Sequence, residues 1–185
     1  MKNGIRSRRL RAGVVAALFL STAVVVALIG QDRFTLRAPN GIAFSEFRGY
    51  ERWQDVAVSR TDHAIKVILA NPAMIKAYKQ GIPGNGKPFP DGSMIVKLAW
   101  NKAPNPVSPY AVEVPATLQS VSFIEKNSKR FPDTSGWGYA QFLYNPVSKT
   151  FTAYGKDGSF GKTVCYQCHT KVQARDYIFT NYAPR

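Results

Sequence analysis

Ser93-Met94-Ile95-Val96-Lys97-Leu98-Ala99-Trp100-Asn101-Lys102 decides the fold class. Met94, Val96, Leu98 and Trp100 recur at every second position, so on a pleated strand they line one face and Lys97 points to the other. Leu118 to Glu125 and Gly138 to Tyr144 are rich in β-branched and aromatic residues and read as further strands, with Ala64 to Ala70 as a fourth. One helix is well punctuated. Asn71 can cap it, Pro72 takes its first position, Met74, Ile75 and Tyr78 give it an apolar stripe, and Gly81 ends it. Most of the 12 prolines fall between Pro83 and Pro115, which keeps helix out of the middle of the chain. The expectation is an α+β domain spanning 31–185, mainly antiparallel β-sheet with a few short helices.

The first 30 residues stand apart. Lys2, Arg6, Arg8, Arg9 and Arg11 precede an uncharged apolar run from Ala12 to Ile29, the pattern of an export signal. The run is long for a signal-peptide core and at the lower limit for a bilayer span, so 1–30 reads either as a cleaved signal peptide or as an uncleaved N-terminal anchor helix. Both place the remainder outside the cytoplasm, in the periplasm, soluble after cleavage or anchored to the inner membrane by 12–29. The formal net charge is +14, and about +9 remains once the five tail cations are set aside. In an exported protein such a charge loses its nucleic-acid reading. An acidic redox partner, an anionic membrane surface, the acidic groups of a bound cofactor or scattered solubilising lysines take its place.

Gly81-Ile-Pro-Gly-Asn-Gly86-Lys87 imitates the spacing of a phosphate-binding loop. It lacks the hydroxyl residue and the following helix that such a loop needs, because Pro88, Phe89 and Pro90 come next. The motif with chemistry of its own is Cys165-Tyr166-Gln167-Cys168-His169. Two thiols at this spacing can add to the vinyl groups of haem while the adjacent imidazole is held beneath the iron. A redox dithiol gives no role to His169, zinc needs further ligands where only His63 is left, and a disulfide across two residues is strained. The reading is one covalent haem c, with Cys165 and Cys168 as anchors and His169 as the iron ligand.

On the other face of the iron an electron carrier places Met or His, whereas a gas-binding or catalytic protein leaves the position open. Beyond the tail only Met74, Met94 and His63 could serve. Met74 belongs to the helix stripe, Met94 to the core face of its strand, and His63, beside Asp62, reads as a solvated turn residue. The expectation is a five-coordinate iron.

Taken in order, Tyr50-Glu51-Arg52-Trp53, Asn71-Pro72, Phe89-Pro90-Asp91-Gly92-Ser93-Met94-Ile95-Val96-Lys97, Lys129-Arg130-Phe131, Gly136-Trp137-Gly138-Tyr139, Cys165 to His169 and Asp176-Tyr177-Ile178-Phe179-Thr180 resemble the cytochrome P460 family over nearly all of Phe44 to Pro184. The resemblance implies a β-rich, exported, often dimeric monohaem protein with one of two activities. P460 enzymes join a lysine covalently to the haem and oxidise hydroxylamine; the β-sheet cytochromes c prime crowd the distal face with apolar side chains and bind nitric oxide. Lys97 matches the cross-linking lysine by its position in Asp-Gly-Ser-x-x-x-Lys. Ser122 falls where P460 enzymes carry a carboxylate for proton transfer, which weakens the oxidase reading, since serine is a poor base. Glu125 points to the opposite face if its strand is regular, and Phe123 either caps a distal pocket or is core. Arg175 and Asp176, roughly two helical turns beyond His169, could orient its ring or form a surface ion pair.

The leading expectation is an exported cytochrome that binds or transforms nitric oxide or hydroxylamine and works with a redox partner protein. Oxidation of hydroxylamine with a Lys97 cross-link and simple electron transfer are the alternatives.

Overall fold

The computed structural model describes residues 30–185; the signal or anchor assigned to 1–30 lies outside them apart from Gly30. Among the described residues no helix is long and apolar enough to cross a membrane. The core of the fold is one antiparallel sheet of six strands, β1 (Gln54–Arg60), β2 (Ile65–Ala70), β3 (Met94–Pro104), β4 (Glu113–Lys126), β5 (Trp137–Asn145) and β6 (Thr150–Ala153). Their spatial order is their order in the chain. Helix α1 (Pro72–Lys79) follows β2, with Asn71 accepting from the Met74 N–H at 3.0 Å and Gly81 in the left-handed conformation beyond its end, as the cap and stop residues require. The α+β class and all four strands read from the sequence are present.

Two strands and parts of two others escape the sequence pattern. β1 closes on exposed polar residues and β6 has only four residues, so neither shows a sustained alternation. β3 and β4 run on into the proline-rich middle as a long hairpin, with Lys102 paired to Pro115. Register shifts on both sides of Trp100 let the ladder absorb residues that cannot donate.

The alternation in β3 divides the protein into two layers. Val96 is packed, with Met94 and Leu98 beside it, in a core of Phe44, Phe47, Phe123, Phe142 and Phe151, which the N-terminal 3₁₀ turns Phe44–Phe47 and Tyr50–Arg52 close from outside. Phe123 is fully buried there, stacked on Phe47 at 4.1 Å. It is core and not a distal cap. On the other face Ile95 joins Met74, Tyr78, Phe89, Trp137, Tyr139 and Ile178, with Cys165 and Tyr166 packed against them. Gly138 sits between these layers' aromatic groups, and a Cβ there would come within 2.3 Å of the Phe131 ring, so only glycine fits.

Glu125 lies on the Phe123 side of β4, as strand parity requires, and is 4% exposed. Arg130 bridges it to Glu46, with 2.6 Å to one carboxylate and 2.7 Å to the other. Burial, opposed by Arg130 and reinforced by Glu46, pushes the Glu125 carboxyl from its ordinary 4.5 up to about 7. The folded protein therefore holds a proton that the unfolded chain releases. This contribution to stability is complete below about pH 4.5 and is lost as pH rises through about 7. At roughly 1.4 kcal/mol per unit, the loss is about 3 kcal/mol at most. Urea unfolding of the wild type between about pH 5 and 8 should show this decline, and Glu125→Gln, which keeps the shape without the charge, should remove it. Equal pH slopes in the two proteins would contradict the assignment.

Candidate haem site

The thiol motif lies on a continuous helical segment packed across the end of β5. Its first turn, Gly161–Tyr166, is wound wide, Gln167–His169 is α-helical (α2), and Thr170–Arg175 tightens to 3₁₀. Gly161 permits the approach, since a Cβ there would lie 2.7 Å from the Tyr139 carbonyl oxygen. Cys165 is half-buried and Cys168 exposed, and both are free thiols. Burial, opposed by the nearby Lys97 ammonium, pushes the Cys165 thiol up to about 11. It is held as a thiol rather than a thiolate.

His169 is oriented by main chain. Its Nδ1 lies 2.5 Å from the Tyr177 carbonyl oxygen, with Tyr139 and Phe179 packed on the ring at 4.9 Å between centroids. A carbonyl only accepts, so Nδ1 carries the proton and Nε2 keeps its lone pair. Burial, and then the Lys97 charge, lower the pKa of the imidazole against the opposing effect of the Tyr177 carbonyl, which favours the neutral form that a metal requires.

His169 lines a cavity of about 410 Å³ between this segment and the sheet, within the usual range of ligand pockets. Ile68, Ile95, Ile124, Ile178 and Phe179 supply apolar wall, and Lys66 and Lys97 enter it from β2 and β3. Lys97 thus points away from the Met94 and Val96 face, as the alternation predicts, into the space that His169 borders. Its amine is lowered from the ordinary lysine range, first by burial and then by Lys66, while Cys165 and Cys168 oppose the shift. No hydrogen-bond acceptor among the described residues meets Lys97 Nζ. Ser122 pairs with Lys97 across the β3–β4 ladder and so shares its side of the sheet.

The other proposed ligands are elsewhere. Met74 is buried in the packing of α1, Met94 belongs to the opposite layer, and His63 is exposed in the turn between β1 and β2. Arg175 and Asp176 do not touch His169. The helical run breaks at Val172 (φ −122°), which ends the two-turn spacing assumed from the sequence. Arg175 then donates to the carbonyls of Ile178 and Thr180, and Asp176 forms a buried pair with Lys126 at 2.8 Å. Sequence reasoning missed Tyr177, which holds His169 by its backbone carbonyl and carries no side-chain signal for that role.

The donor set fits a haem. Two free thiols precede, on the same helical segment, an imidazole whose Nε2 is bare beside an apolar cavity, and the Tyr139 hydroxyl, on a ring packed against His169, is buried without a hydrogen-bond partner. No curated protein matches the chain. The family model described as Cytochrome P460 matches residues 47–180, from the end of the 3₁₀ turn Phe44–Phe47 through the cavity wall at Thr180. The chain therefore belongs to the cytochrome P460 family, and its cofactor is a haem.

Proposed function

We propose that this protein is an exported c-type monohaem cytochrome of the P460 type that binds or transforms small nitrogen oxides, nitric oxide or hydroxylamine. Cys165 and Cys168 would hold a single haem covalently, and His169 would ligate its iron. The carrying observation is the unprotonated Nε2 of His169 beside an apolar cavity, with Cys165 and Cys168 on the same helical segment as the imidazole. When bound, the haem would supply an iron able to take a small ligand. The chain does the rest. The Tyr177 carbonyl fixes the imidazole, Ile68, Ile95 and Ile124 exclude water, and Lys97 brings the one polar group of β3 into the cavity. The burial of Met74, the opposite facing of Met94 and the exposed turn of His63 favour an open sixth position over an electron carrier. The basic flank and apolar run of 1–30 support export to the periplasm, as a soluble or an anchored form.

A second reading, hydroxylamine oxidation with Lys97 joined to the haem, is favoured by the position of that amine in the cavity wall and by its lowered pKa. Ser122 beside it counts against this reading, because no carboxylate among the described residues lines the cavity to take protons.

An absorption spectrum of the dithionite-reduced protein before and after nitric oxide, with the haem peptide weighed by mass spectrometry, tests both. The expected result is a high-spin spectrum that changes with nitric oxide. A strongly red-shifted ferrous band and a haem peptide carrying the Lys97 fragment would establish the second reading. A sharp low-spin spectrum indifferent to nitric oxide would overturn both in favour of electron transfer.

A further inference from the structure

Behind His169, away from the cavity, lies a buried lysine that neither reading uses. Lys126, at the end of β4, is 6% exposed. Its ammonium donates to both Asp176 oxygens, at 2.8 and 3.1 Å, and to the Ser135 carbonyl at 3.0 Å, and it sits 4.8 Å from the centre of the Trp137 ring. Asp176 accepts in addition from the Phe89 N–H at 2.7 Å. The carboxylate is thus tied both to the end of β4 and to the loop before β3.

Asp176 also opens an unusual turn. It and Tyr177 have φ of 47° and 64°, two successive non-glycine residues in the left-handed region. Side chains rarely adopt this conformation, and it persists where the surroundings over-determine it. Its result is to turn the Tyr177 carbonyl back onto His169 Nδ1. The same hub reaches the Tyr177 side chain and the thiol motif. The Ser135 hydroxyl donates to the Tyr177 hydroxyl at 2.8 Å and meets that of Tyr166, inside the thiol motif, at 2.9 Å. Stability alone is a weak reason for such a pair, since an apolar replacement of similar volume often folds as well.

We propose that Lys126 and Asp176 are positioning residues for the axial ligand: their buried ion pair holds the left-handed turn, and the turn sets the hydrogen bond that tunes how strongly His169 donates to iron. The proposal rests on the reading of His169 as haem ligand. A hydrogen bond from Nδ1–H to a carbonyl makes the imidazole more basic, which favours the ferric state. Releasing the turn weakens the bond and favours the ferrous state.

The test uses the full-length haem-loaded protein and follows the iron–histidine stretching band by resonance Raman and the midpoint potential by spectroelectrochemistry. Lys126→Met and Asp176→Asn should lower the band frequency and raise the potential. A tenfold change in the ferric to ferrous ratio corresponds to about 59 mV for one electron. The haem peptide should keep its wild-type mass. Lys126→Met combined with Asp176→Leu restores apolar packing, and this protein should melt near the wild type while keeping the shifted band. Ser135→Ala, which leaves the buried pair intact, should move band and potential in the same direction by less, so the proposal stays testable if the charge variants do not fold. Variants that melt early but retain the wild-type band and potential would overturn it, leaving the pair merely structural. A wild-type protein with no iron–histidine band would instead remove the reading of a five-coordinate iron ligated by His169, and the proposal with it.

Discussion

Protein in which both Cys165 and Cys168 are replaced by alanine should emerge from denaturing electrophoresis without haem, where the wild type retains a haem-staining band. The loss should be complete rather than graded, because covalent retention depends on thioether bonds that only these sulfurs can make: they are the protein's 2 cysteines. The structure separates this tether from ligation. The hydrogen bond of His169 to the Tyr177 carbonyl does not involve the sulfurs, so the double variant should still take up haem reversibly and show an iron–histidine signature in native conditions. Haem that survives denaturation of the double variant would overturn covalent attachment through this motif. Haem that is absent from the native wild type would overturn the assignment of the site.

Phe123→Ala should lower the unfolding free energy by about 3–5 kcal/mol, the cost of removing a fully buried aromatic side chain from a packed layer. The ring stacks on Phe47 at 4.1 Å and meets Phe44 edge-on at 4.8 Å, so its removal opens a hole lined by rings that the sheet and the 3₁₀ turns hold in place. For a domain of this size that corresponds to a fall in melting temperature of roughly 10 °C. The haem spectrum of the surviving folded protein should be unchanged, since Phe123 belongs to the layer opposite His169. A variant with wild-type stability and an altered response to nitric oxide would show that the ring does cap the haem after all.

The residues that carried the fold from sequence were those whose side chains repeat. Met94, Val96 and Leu98 declare a strand and its buried side, and from that one parity follow the position of Lys97 on the His169 side and that of Glu125 away from it. Asn71, Pro72 and Gly81 mark a helix by the chemistry of its ends. What stayed hidden was built from backbone or from context. The partner of His169 is a carbonyl, which every residue possesses, so the eye goes to Arg175 and Asp176, whose side chains look suited to the work but make other bonds. The turn that aims this carbonyl contains no glycine to announce it. Lys126 reads as one more surface cation among 25 Lys and Arg, and only burial beside Asp176 distinguishes it. The N-terminal 3₁₀ turns, too short for any period, supply Phe44 and Phe47 to a core that strand patterns alone leave uncovered.

The sheet in which each strand pairs with the next along the chain also bears on the order of assembly. Every ladder joins strands consecutive in the chain, which is the quick route for a β protein, whereas the thiol segment must come back across the sheet to bring His169 to the cavity wall on β2 and β3. Strand pairing therefore needs nothing from that segment, and the last stretch of polypeptide can close over a cofactor already resting on a finished wall. A protein assembled in this order can receive its haem late, without having to unfold to admit it.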